Sequence, residues 1–192
     1  MIYEIIDFFE KVKRYSYNRY LKKKLNIKNQ IFHVYSEGII LGYKHIKIGN
    51  NFFALRGLRI EAVDSYGTQT FSPKIVIGEN VAVGDFCHIA AIEEVNIGNG
   101  VLMGSKVFIT DHQHGNTDYI SSVLPSERPL VSKGKVVIGD NVWIGDNVVI
   151  MPGVHIGNNV IVGANAVVTK NIPANVVVGG MPAKIIKELK YE

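Results

Sequence analysis

The sequence predicts an all-β fold, a parallel β-helix built from hexapeptide repeats, and three observations carry the prediction. Aliphatic residues, most of them followed by Gly or another small residue, recur every six positions: Ile77, Val83, Ile89; then Ile97, Met103, Ile109; then Ile138, Ile144, Ile150, Ile156, Val162, Val168. Four residues after most of them stands a second small or β-branched residue, as at Val81, Cys87, Val101, Val142, Val148 and Ala166. Between the two series lie corner sequences, "GDN" at 139–141 and 145–147 and "GNN" at 157–159. A helix wants apolar spacings near 3.6 and a long strand wants alternation at two, so a period of six fits neither. Each hexad can instead supply one short strand and one corner, three hexads closing a triangular coil. Gly, Asn and Asp suit the corners because they accept left-handed or turn dihedrals at little cost. Coils stacked about 4.8 Å apart pair each strand with the coil above and below, and both apolar series point inward.

Taken in order, residues 1–30 form a basic helical arm, with Ile2, Ile5, Ile6, Phe9 and Val12 at helical spacing on one side. The coil is expected over 31–178, its first turn marked by Ile48, Ala54 and Ile60, with Phe52 and Leu58. Two segments leave the lattice, one at about 61–74 and a longer one at about 110–137. The tail, 179–192, ends in "PAKIIKELKYE", which reads as a short helix over the last coil.

Composition narrows the class. With 192 residues, 47% hydrophobic content and 19 glycines, the chain suits one packed domain rather than a disordered segment. No apolar run is long enough to span a bilayer, and the N-terminus lacks a signal-peptide layout. One cysteine, Cys87, excludes an internal disulfide framework, and the expected compartment is the cytoplasm. Of the net +4, residues 1–30 hold +5 and the remainder −1. The basicity belongs to the arm, so the coil itself is not read as binding nucleic acid.

Chemistry concentrates where the repeat breaks, at "ITDHQHG", residues 109–115, which holds two of the six histidines. A loop of that length in a compact domain is usually functional or disordered. His112 and His114 follow directly on the inward Ile109, so a rigid coil fixes their backbone. An imidazole, with an unperturbed pKa of about 6.5, suits a general base at neutral pH.

The repeats, "GSKVFITDHQHG", and the C-terminal run "TKNIPANVVVGGMPAKIIKEL" resemble the hexapeptide-repeat acyltransferases. The resemblance covers roughly 40–188 and is nearest the sugar O-acetyltransferases of colanic acid, O-antigen and capsule loci. It implies a left-handed coil, which spacing alone does not settle, a homotrimer with sites between subunits, acetyl-CoA as donor, and a sugar or glycan acceptor. It places the catalytic base at His112, and His114 as a second base or a substrate ligand. Asp85 stands beside the position of the family's acceptor-site Asn, which this chain lacks. The family's acidic position falls on Ala91, with Glu93 nearby. His88, one coil below His112, faces either the same cleft or solvent, and Trp143 packs on the substrate or seals the trimer. Asp146 and Ala164 match the positions that hold the pantetheine arm, Thr169 and Lys170 those at the nucleotide end. Lys184 and Lys187 meet phosphates as point charges or lie solvated. No metal is expected: His88, His112 and His114 are the candidates, and "DHQHG" does not resemble the metal pair of the zinc-binding β-helix proteins. The arm either lies on an anionic membrane surface or docks on the trimer. N-acetylation of an amino sugar nucleotide, and a non-catalytic scaffold, stand as the alternative functions.

Overall fold

A computed structural model describes residues 2–28, 30–35 and 38–190. Met1 and Asn29 of the expected arm, Ser36 and Glu37, and Tyr191 and Glu192 of the expected tail lie outside the described residues.

The chain winds as a three-sided parallel coil. The first face stacks Phe32–Val34, Phe52–Ala54, Ala82–Val83, Leu102–Met103, Trp143–Ile144, Ile161–Val162 and Val176–Gly179. The second stacks Ile39–Leu41, Arg59–Ala62, His88–Ala91, Phe108–Thr110, Val149–Ile150 and Val167–Val168. The third stacks Ile46–Ile48, Lys74–Ile77, Glu94–Ile97, Val136–Ile138 and His155–Ile156, closed by a parallel bridge from Ile156 to Ile172. Register keeps the six-residue series in vertical ladders: Ile89 pairs with Ile109, Ile109 with Ile150, and Ile150 with Val168. Both apolar series are buried and form one continuous core. Parallel sheets, one helix and the hexad period fit a left-handed β-helix.

Corners follow from residue chemistry. Asn141, Asn147, Asn159, Asn165 and Asn175 hold φ between 55° and 61°, the left-handed region that asparagine tolerates. Asn141, Asn159 and Asn175 also stack side chain on side chain, the Asn159 amide donating to Asn175 at 2.8 Å. Gly98 has a different reason to be small: a Cβ there would lie 2.6 Å from the backbone of Gly139 in the next coil.

The arm is a helix, α1, over Ile2–Lys24. It docks through Tyr17, Asn18 and Leu21, not through Ile5, Ile6, Phe9 and Val12, which are exposed. The buried Asn18 amide donates to Val34 O and accepts from Val34 N–H, both at 2.7 Å, and so pairs with the coil's first strand as a neighbouring strand would.

Both insertions are ordered by pairing. The first is a hairpin, Ser65–Tyr66 against Gln69–Thr70. The second is a longer excursion whose base, His112–His114, pairs antiparallel with Leu130–Ser132.

The tail corrects the sequence reading. In place of a terminal helix, Lys184–Glu188 forms a strand antiparallel to Val176–Gly179. The last coil leaves a row of unpaired backbone groups, and a helix laid across it would satisfy none of them. An antiparallel strand does, and Leu189 N–H extends the pairing to Asn175 O at 2.8 Å.

Candidate active site

The site forms where the second face turns towards the third, at the top of Phe108–Thr110. Alternation from the inward Ile109 turns the next-but-one side chain, Asp111, inward as well. Asp111 is fully buried, and a buried carboxylate must be satisfied by donors. The corner one coil below supplies them: N–H groups of Ile92, Glu93 and Glu94 donate at 3.0, 2.8 and 2.8 Å. The remaining donor is the next residue, His112, whose Nδ1 lies 2.9 Å from Asp111 Oδ1.

That contact decides the tautomer. Asp111 only accepts, so the proton sits on Nδ1 and Nε2 keeps its lone pair. Thr110 Oγ1 accepts from His112 N–H at 3.3 Å and donates to its carbonyl at 3.2 Å, holding the backbone that carries the ring. The result is a largely buried imidazole, oriented by a carboxylate that the coil itself locks, with one basic nitrogen. An open groove of ≈ 510 Å³ lies between Phe71–Ser72, Ile92–Glu93 and Leu130–Ser132, lined by the residues whose N–H groups hold Asp111 and by the strand paired with His112 rather than by the imidazole itself.

His88 lies one coil below on the outer second face, its ring 5.1 Å from that of Phe108. Its Nε2–H donates to Glu61 Oε2 at 2.8 Å, and Arg59 holds the same carboxylate through Nε at 2.8 Å and Nη2 at 2.9 Å. Burial pushes the His88 pKa down further than the Glu61 hydrogen bond restores it, and the Arg59 and His112 charges add to the lowering. Burial would raise Glu61, but hydrogen bonds from Arg59 and His88, with their charges, outweigh it and hold the carboxyl below its ordinary value. His88 is therefore a neutral ring with Nδ1 as its acceptor nitrogen, near enough to His112 to feel its charge.

His114 is engaged elsewhere. Tyr66 Oη gives its one proton to Ser126 O at 2.7 Å, so at the 3.3 Å contact His114 Nδ1–H donates to Tyr66. Gln69 clasps Leu130 from the same hairpin, its amide oxygen accepting at 2.7 Å and its nitrogen donating at 3.1 Å. Tyr66, Gln69 and His114 thus lock the two insertions together. His88, His112 and His114 have separate partners, Glu61, Asp111 and Tyr66, and do not converge on one point.

Other expected site residues are spread over the prism. Thr169 and Lys170 follow Val168 as Thr110 and Asp111 follow Ile109, so they stand on the His112 edge two coils on, about 10 Å away. Asp85, Asp146 and Ala164 lie on the opposite edge of the second face. There Asp85 accepts from Arg56 N–H at 3.0 Å and Asp146 from Ser105 N–H at 2.6 Å. Trp143 stands half-exposed on the first face between Leu102 and Ile161, and Lys184 and Lys187 are on the strand added to that face. One chain therefore brings together His112, Asp111 and His88 but not the remainder. Asp111, Glu61, Tyr66 and Gln69 were missed in the sequence. Asp111 alone carried a signal, a charged residue at an inward position.

Residues 135–170 match the model of the bacterial transferase hexapeptide family (six repeats). The chain is 46% identical over 151 residues to WbbJ of Escherichia coli strain K12, described as a lipopolysaccharide biosynthesis O-acetyl transferase, covering 77% of this chain and 74% of WbbJ. It is 30% identical over 144 residues to WcaF of the same strain, described as a colanic acid biosynthesis acetyltransferase, covering 74% of this chain and 69% of WcaF. Among solved structures, AntD, an N-acyltransferase from Bacillus cereus crystallised with dTDP and coenzyme A, superposes with a TM-score of 0.67 at 20% identity over 85% of this chain and 83% of its own, a likeness of fold. By its six-residue lattice and its identity to WbbJ along three-quarters of its length, the chain belongs to the bacterial hexapeptide-repeat acetyltransferases.

Proposed function

We propose that this protein transfers an acetyl group from acetyl-CoA to a sugar hydroxyl in the biosynthesis of a bacterial surface polysaccharide. The observation that carries the reading is the Asp111–His112 pair, which leaves His112 Nε2 basic on the edge of a rigid coil. The names of WbbJ and WcaF support the acceptor class.

In this reading the acceptor oxygen bonds to the thioester carbonyl carbon while its proton passes to Nε2. The imidazolium so formed faces the Asp111 carboxylate, then returns the proton to the departing CoA thiolate. No covalent enzyme intermediate is required, because the thioester is already activated and both substrates meet in one complex. His88, neutral and held by Glu61, presents Nδ1 to an acceptor hydroxyl. Asp85, His114 and Trp143 complete the substrate-binding assignment, and Asp146, Ala164, Thr169, Lys170, Lys184 and Lys187 the donor side. Those donor residues occupy two edges and one face of a single chain, which supports a homotrimer in which neighbouring copies combine them. The outer first face supports the same assembly: Phe53, Leu102 and Trp143 are large, half-exposed and in register with Ala82 and Ile161. The protein's proposed place is the cytoplasm, the arm 1–30 meeting the inner face of the membrane, the coil 31–178 and tail 179–192 bearing the site. No helix among the described residues is long and apolar enough to cross a membrane.

The test is thiol release from acetyl-CoA with a panel of sugars and nucleotide sugars, on wild type and His112→Ala. Transfer by the variant is expected to fall by about 10²–10⁴, with CoA binding retained. Undiminished transfer overturns the base, and a wild type that neither transfers nor binds CoA is a scaffold.

A further inference from the structure

Helix α1 is anchored at one end only. Tyr17 and Asn18 bond to the coil and Leu21 is buried in its core, whereas residues 3–13 are exposed on every side. At 3.6 residues per turn, Tyr17, Asn18 and Leu21 share one side of the helix, and Ile5, Phe8, Phe9 and Val12 fall on the opposite side. The apolar stripe therefore points directly away from the protein's own coil. These side chains are 50%, 63%, 64% and 45% exposed. Further along the same side the stripe gives way to Tyr15, Arg19 and Lys23, with Lys13 at its flank. Of the arm's acids, Asp7 and Glu10 lie round towards the anchored side, and Glu4 stands at the flank of the stripe.

We infer that the outward face of α1 is a membrane-docking surface, lying in the plane of a bilayer rich in anionic lipid. Ile5, Phe8, Phe9 and Val12 enter the boundary between headgroups and acyl chains. Arg19, Lys23 and the flanking Lys13 meet lipid phosphates. Charge selects this occupant over copies of the chain arranged about the proposed trimer axis, because a parallel bundle closed through this face would set Arg19 and Lys23 against their own counterparts. The inference deepens the membrane contact proposed for the arm and rests on it, while the surface is separate from the acyl-transfer site and independent of that assignment.

The test is cosedimentation of the full chain with vesicles of phosphatidylglycerol and phosphatidylcholine, against pure phosphatidylcholine, without acetyl-CoA. Two variants accompany it, Ile5→Ser with Phe9→Ser, and Arg19→Gln with Lys23→Gln, with the mass of each in solution. Wild type is expected to bind the anionic vesicles and bind neutral ones far less, with binding weakened by salt. The stripe variant should lose at least about tenfold in partitioning. The charge variant should lose about 25-fold, about fivefold for each cation removed. Both should keep the wild-type assembly mass. Wild type that fails to bind anionic vesicles, or variants that bind as wild type does, overturn the inference. So does a stripe variant that changes assembly mass while its vesicle binding is unchanged, since the face would then join copies of the chain. Each readout is taken without acyl transfer, so failure of the enzymatic reading leaves this one standing.

Discussion

Replacing Asp111 by Asn removes one acceptor from a group that receives four hydrogen bonds while its size stays the same. The amide has two orientations. With its oxygen kept towards His112 and Ile92, the NH₂ faces the N–H groups of Glu93 and Glu94, which donate at 2.8 Å in the wild type. Two backbone donors are then stranded in the interior. With the oxygen turned towards Glu93 and Glu94, the NH₂ faces Ile92 N–H and His112 Nδ1. The ring must then accept at Nδ1 and carry its proton on Nε2, and the basic nitrogen is lost. The first orientation costs about 2–6 kcal/mol for two unsatisfied buried groups, the second about half that plus the catalytic tautomer. The second is the cheaper, so Asp111→Asn is expected to lower kcat by about 10²–10⁴ with little change in KM for either substrate. The melting temperature should fall by several degrees, at about 2–4 °C per kcal/mol for a chain of this size. The assay is steady-state transfer from acetyl-CoA beside a thermal melt of the same preparation. A variant that melts earlier but keeps kcat within about threefold of wild type refutes the orienting role and leaves Asp111 as a corner brace.

Two further outcomes test other parts of the structure. His88→Ala should raise KM for the acceptor by about tenfold, the worth of one hydrogen bond to a neutral group, with KM for acetyl-CoA unchanged; an equal change in both would remove His88 from the acceptor side. Cys87 is buried, its thiol donates to Gly104 O at 3.1 Å, and burial pushes its pKa up to about 11. It should therefore resist alkylation at pH 8 until the protein is unfolded, and rapid labelling of the native state would contradict that packing.

The coil was legible in the sequence because its physics is local and repeated. Ile138, Ile144, Ile150 and Ile156 each make the same inward choice, and each error would bury a corner or expose an apolar ladder. The tail was not legible, because "PAKIIKEL" carries residues suited to a helix. What overrode that propensity was the unpaired edge at Val176–Gly179, a partner defined only once the coil exists. The excursion was visible as a break at Thr110, but its base pairs with Leu130–Ser132 across the whole loop, and the clasp from Tyr66 and Gln69 joins residues about sixty positions apart.

By itself, then, the sequence determined the lattice and the place of His112 on it. Periodicity constrains every sixth residue, and a histidine three positions past the last aliphatic of a strand must stand at a corner. Only the tertiary structure decided which nitrogen of that histidine is basic, that Glu61 and Arg59 hold His88, and which side of α1 faces away from the coil. Those are relations between coils, set by the stacking that brings the Ile92–Glu94 amides under Asp111 and Glu61 beneath His88, and no linear spacing records them.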